Sequence, residues 1–182
     1  LKSLAAVKRR TLDVIRVFRS PVDATKGRVR AGSLDLPCAL GSLGIVRSKR
    51  EGDGGTPAGC FRVLTVLYRP DRARRPRTAL PIRRIGPDDG WCDDPGSRLY
   101  NRPVRLPHRA RHERLFRQDH LYDVVLDLDW NRRPAVPGRG SAIFLHSARP
   151  AFGPTEGCVA VGRNAIARLV ERLGPRTRIR IG

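Results

Sequence analysis

Methionine is absent from all 182 residues, position 1 included. The N-terminus is therefore expected to be processed or truncated, and a targeting segment lost with it leaves no trace. Long apolar runs are absent as well. No stretch approaches the roughly 18 apolar residues that span a bilayer, and residues 1–10 lack the apolar centre of a secretory signal. No membrane-spanning helix is expected within these residues. Lysine is confined to Lys2, Lys8, Lys26 and Lys49, so the formal charge of +20 is almost wholly arginine. These charges run from Arg9 to Arg180 without a dense cluster, unlike a nucleic-acid-binding helix or tail, and no nucleic-acid partner is expected. A basic surface attracts anionic polymers and headgroups, but an Arg, Pro, Gly and Ala skew also reflects GC-rich coding, so charge alone assigns no partner.

Cysteine is sparse too. Cys38, Cys60, Cys92 and Cys158 lie far apart with no C-x-x-C pair, which excludes a zinc ribbon or thioredoxin-like motif and speaks against a disulfide scaffold. His108 and His112 stand four apart with Glu113 adjacent, superficially like metal ligands. Arg105, Arg109, Arg111 and Arg114 crowd the segment and would repel a divalent cation, so it is read as a charged helix or loop lining a groove. No metal site is expected.

What is present reads as one folded domain over residues 1–182, with 40% hydrophobic and 30% charged residues. Short β-branched runs separated by Gly and Pro predict a mainly β fold. Strands are expected over 12–18, 28–31, 60–68, 121–128, 142–146 and 177–181. One helix is expected near the end. Asn164 is its predicted cap, Ile166, Leu169, Val170 and Leu173 its apolar stripe, and Gly174-Pro175 its stop. The segments 69–77 and 130–140 read as exposed Pro- and Arg-rich loops.

Two strand ends carry chemistry. The apolar run 143–145 ends on His146, and twelve residues later Thr155-Glu156-Gly157-Cys158 leads into Val159–Val161. A cysteine of ordinary pKa is mostly protonated at neutral pH, so a nucleophilic one needs a nearby imidazole and backbone N–H groups for the oxyanion. Gly157 suits that geometry, with its own N–H and that of Cys158 as expected donors. The spacing by itself equally allows Cys158 as a small core residue and His146 as a satisfied strand-end histidine.

The run from His146 to Val161, His-Ser-Ala-Arg-Pro-Ala-Phe-Gly-Pro-Thr-Glu-Gly-Cys-Val-Ala-Val, resembles the catalytic signature of the YkuD-like L,D-transpeptidases. Thr56-Pro57-Ala58-Gly59-Cys60-Phe61 is similar to that family's Thr-Pro-x-Gly-x-Phe block, a turn and strand beside the active-site groove. The resemblance is strongest over residues 47–181. It implies a β-sandwich with one or two short helices. It also implies acyl transfer on peptidoglycan stem tetrapeptides, with Cys158 as nucleophile, His146 as general base and acid, and no cofactor. A carbapenem would be a covalent inhibitor, and the compartment would be the cell envelope or periplasm. Ser147, Thr155 and Glu156, within the signature, are expected to bind substrate.

The family pattern continues Cys-Ile-Arg, whereas here it reads Cys158-Val159-Ala160. Arg149 is the expected substitute for the missing guanidinium. The acids around Trp91, among them Asp93, are expected to receive a diaminopimelate ammonium, with Trp91 adding cation–π attraction. A carboxypeptidase or protein-attaching enzyme would use the same Cys158 and His146. A non-catalytic basic module binding wall polymers or nucleic acid would need the charge but not the thiol.

Overall fold

The computed structural model describes residues 11–182, so the expectation about a signal in residues 1–10 lies outside it. The fold is mainly β, in the order β1 (Val14–Arg19), β2 (Lys26–Ala31), β3 (Leu34–Ala39), β4 (Ile45–Val46), β5 (Thr56–Pro57), β6 (Gly59–Tyr68), β7 (Ile82–Arg84), β8 (Asp89–Cys92), β9 (Arg102–Arg105), β10 (His112–Arg114), β11 (Val124–Leu128), β12 (Phe144–Ser147) and β13 (Val159–Val161). Helix α1 (Arg163–Val170) and β14 (Arg178–Ile181) complete it. Among the described residues no helix is long and apolar enough to cross a membrane.

Period-two alternation builds the main sheet. In β1, Ile15 and Val17 are buried while Val14 and Arg16 face out, and β2 repeats this with Val29 and Ala31. Nine strands join in the order β11-β12-β13-β3-β2-β1-β14-β6-β7, and β11 also pairs with β6. All but β7 therefore close into a ring. A second sheet, β10-β8-β9, lies over the other face of β11 and β12.

Two cores result. The larger gathers Ile15, Val29, Leu126, Leu145 and Val159 with Ile166, Leu169 and Val170 of α1. The smaller lies between the two sheets and holds Leu67, Trp91, Leu115, Tyr122, Val125 and Phe144. Phe144 is its hub, meeting Trp91 and Tyr122 edge-on at centroid distances of 5.0 and 5.9 Å. Each such pair contributes about 1 kcal/mol beyond area burial. Cys158 belongs to this second core.

Several expectations shift. Strand β3 was not anticipated because Pro37 interrupts it. Asp89–Cys92, within the acidic block around Trp91 expected to receive an ammonium group, is a wholly buried strand. Arg69, expected in an exposed loop, is 2% exposed, with its guanidinium over the Phe116 ring and bonded to Asp71. The cap of α1 is Gly162 rather than Asn164, and the helix ends at Val170, where Arg172 and Leu173 bond back to Leu169 and Val170 in tighter turns.

Candidate active site

Strands β12 and β13 run parallel and adjacent, pairing Leu145 with Val159, His146 with Ala160 and Ser147 with Val161. Alternation sends Leu145, Val159 and Val161 into the main core, which turns His146, Cys158 and Ala160 to the other face. There they line one cavity of about 520 Å³.

Cys158 ends a tightly specified turn. Thr155 Oγ1 donates to the Cys158 carbonyl oxygen at 2.7 Å and accepts the Gly157 N–H at 3.2 Å. From β5, Thr56 Oγ1 reaches the same carbonyl at 3.4 Å. Gly157 has φ +131°, and a Cβ there would stand 2.7 Å from the Gly55 carbonyl oxygen. Only glycine fits without displacing backbone. Its N–H, expected as an oxyanion donor, is here held by Thr155.

The Cys158 thiol donates to the Ala142 carbonyl at 3.2 Å, and the Phe144 N–H donates to the sulfur at 3.3 Å. No hydrogen bond joins it to the imidazole. Burial pushes the thiol up to about 12, helped by the Glu113 charge and opposed by the Phe144 N–H and by Lys49. A thiol so placed rests protonated.

The His146 Nδ1 lies 2.8 Å from the Ser147 carbonyl oxygen, and the Tyr122 ring meets the imidazole edge-on at 5.1 Å. A carbonyl can only accept, so Nδ1 carries the hydrogen and Nε2 the lone pair. Burial lowers the imidazole to about 4. Between these two values both groups are neutral, with the proton on sulfur and a free base at Nε2.

Of the expected substrate-binding residues, Arg149, Thr155, Glu156 and Asp93 line the cavity, Asp93 with its carboxylate held by Arg111. Trp91 and Ser147 are not brought to it. Trp91 is 2% exposed, donates from Nε1 to Asn101 Oδ1, and has its ring covered by the Arg132 guanidinium. It offers no face to a ligand. The Ser147 side chain points to the opposite side of β12, and this residue meets the site only through its carbonyl.

The structure adds residues that sequence reasoning passed over. Glu113, on β10, lines the cavity, accepts the Tyr122 hydroxyl at 2.7 Å, and burial pushes its carboxyl up. Arg111, just before β10, and Arg117, after it, also line the wall; of the 105–114 segment expected to line a groove as a helix or loop, only Arg111 and Glu113 reach this cavity, and Glu113 does so from a strand. Lys49 is buried beside Gly157, its ammonium held by Asp53. The signals for Lys49 and Thr56 were their places around the Thr-Pro block; Glu113 gave none apart from its charge. His112 Nδ1 bonds the Ala110 carbonyl, and among the described residues no group of three His, Cys, Asp or Glu side chains is arranged to hold a metal.

The model of the L,D-transpeptidase catalytic domain, YkuD, matches residues 22–181. No curated protein matches. Among solved structures, L,D-transpeptidase 1 of Mycobacterium tuberculosis aligns over 92% of this chain and 61% of its own, at 12% identity and a TM-score of 0.39. An L,D-transpeptidase of Mycobacterium smegmatis aligns over 92% and 58%, at 14% identity and 0.41. The chain thus spans about three fifths of the length of either. The match across residues 22–181 carries the assignment: this chain belongs to the L,D-transpeptidase catalytic domain family.

Proposed function

We propose that the chain is a cysteine acyltransferase acting on peptidoglycan stem tetrapeptides. Cys158 Sγ attacks the carbonyl between the third residue and the terminal D-alanine, and its proton passes to His146 Nε2. The tetrahedral intermediate collapses to a thioester as His146 returns that proton to the departing D-alanine amine. An acceptor amine then attacks the thioester, giving its proton to His146, and the thiol is regenerated. The substrate places this work in the cell envelope.

One observation carries the reading: Cys158 and His146 share a face of adjacent parallel strands and the wall of one cavity, with Nδ1 held so that Nε2 is the base. Attack requires the thiol to leave the Ala142 carbonyl and turn towards Nε2. The Cys158 N–H is the proposed oxyanion donor, since Gly157 already gives its own to Thr155. With Ala160 where the family has arginine, Arg149 supplies the charge for a substrate carboxylate, and Asp93 and Glu156 face its ammonium.

The test is incubation with a disaccharide tetrapeptide followed by mass spectrometry. Cross-linked dimer supports transpeptidation, and tripeptide alone indicates that water is the acceptor. Neither product, together with no carbapenem adduct on Cys158, would overturn the proposal.

A further inference from the structure

Behind β12, on the side away from the candidate active site, lies a second cleft of about 430 Å³. Five arginines line it, Arg72, Arg74, Arg75, Arg77 and Arg163, against two acids, Asp123 and Glu171. Asp123 already receives Arg163 at 2.8 Å and His120 at 2.9 Å. Among the described residues Arg74, Arg75 and Arg77 form no ion pair and are exposed.

Two further features face this space. The first turn of α1 opens onto it through Arg163 and Asn164, and no side chain caps that end; the Ala165 amide turns back to the Gly162 carbonyl at 2.8 Å, which leaves those of Arg163 and Asn164 for an outside partner. Ser147, 2% exposed, forms part of the wall, and its hydroxyl is buried with no hydrogen-bond partner. A buried hydroxyl in that state costs stability until something bonds it. Guanidiniums without counterions, free helix amides and an unpartnered hydroxyl share one complement, an anion with several oxygens.

We propose that this cleft is a binding site for a phosphate-bearing anion. The forked guanidiniums of the 72–77 loop grip peripheral oxygens, while the α1 amides and the Ser147 hydroxyl take those that reach deepest. The phosphate could belong to a soluble ester or to a lipid headgroup, and the chemistry is shared. The Ser147 carbonyl holds His146 Nδ1, so an anion on its hydroxyl anchors the residue that orients the imidazole.

The test is titration with pyrophosphate at near-physiological salt, read by calorimetry and melting, on the wild type, R74Q/R75Q/R77Q, S147A and a control, R16Q/R180Q, on a remote face. One saturable site is expected, weakened roughly tenfold or more in the triple variant and untouched in the control. S147A should melt higher than wild type without ligand yet gain less from pyrophosphate. If S147A fails to fold, the exposed triple variant alone decides. Vesicles with anionic phospholipid form the second arm: displacement by pyrophosphate indicates a lipid-borne phosphate, and its absence beside pyrophosphate binding a soluble one. No saturable binding, or equal weakening in the control, would overturn the site.

Discussion

The His146 ring nitrogen Nδ1 and the carbonyl oxygen of Ser147 are 2.8 Å apart, so the imidazole is held by the backbone carbonyl of the next residue. No side-chain carboxylate is needed to choose the tautomer. The orienting group is backbone, so substituting Ser147 leaves it in place. Loss of the ring itself is a different matter. His146→Gln is expected to slow acylation of Cys158 by about 10²–10⁴-fold, measured as the rate of carbapenem adduct formation by intact-protein mass spectrometry.

His146 also links stability to pH. Its folded value, about 4, lies below the ordinary imidazole value, so between roughly 4 and 6.5 the unfolded chain binds more protons. Stability should fall as pH drops through that window, by up to ~3 kcal/mol from this group. Asp127 opposes it, because burial raises its carboxyl to about 6 and the folded chain then binds more protons below that pH. The contrast to measure is therefore a difference. His146→Gln should lose less melting temperature than wild type between pH 7 and pH 4.5, and identical losses would remove His146 as the cause.

Cys158→Ala should abolish turnover and adduct formation while costing about 1–2 kcal/mol or less in stability, since a thiol is a small part of its core. Labelling needs care. Cys60 is exposed whereas Cys38, Cys92 and Cys158 are buried, so a generic alkylating reagent should modify Cys60 first. In a Cys60→Ser background a carbapenem should still label Cys158, as peptide mapping would show.

Removing the hydroxyls that grip the Cys158 carbonyl should act on chemistry more than on binding. Thr155→Val removes the bonds to the Cys158 carbonyl and from the Gly157 N–H, and Thr56→Val those to the same carbonyl and from the Gly41 N–H, each bond worth about 1 kcal/mol. Together they should lower kcat severalfold with KM little changed. A change in KM alone would argue that these threonines meet substrate instead.

Gly157→Ala tests the turn directly. It combines an unfavourable φ with a 2.7 Å approach to the Gly55 carbonyl, and should cost about 1–3 kcal/mol as well as adduct formation. Denaturant melts of wild type and variant decide it.

The long strand β6 and the apolar stripe of α1 were legible because their patterns are regular and unbroken. Strand β3 was hidden by Pro37, and β8 by an Asp-Asp-Gly run that reads as a turn until Trp91 is seen to be buried. At the site, the signature brought His146, Cys158 and Arg149 to one cavity. The direction of Ser147 was available in principle, since neighbours in a strand face opposite ways. For Glu113 only a groove-lining helix or loop was expected of its segment, because nothing local says that a short strand of the second sheet will fold over β12. Long-range placement of that kind is set by the packing of whole layers around Phe144.

The closing of the main sheet bears on how this protein behaves when crowded. Because β11 finds partners on both sides, in β12 and β6, the ring has no long unpaired margin for another chain to extend by strand addition. The exception is β7, attached to β6 outside the ring. It is three residues long and carries Arg83 and Arg84, both exposed. A short, cationic border of this kind repels a second copy of itself and gives an incoming strand little to zip along, so the ring guards itself against templated aggregation at the seam where β7 joins it.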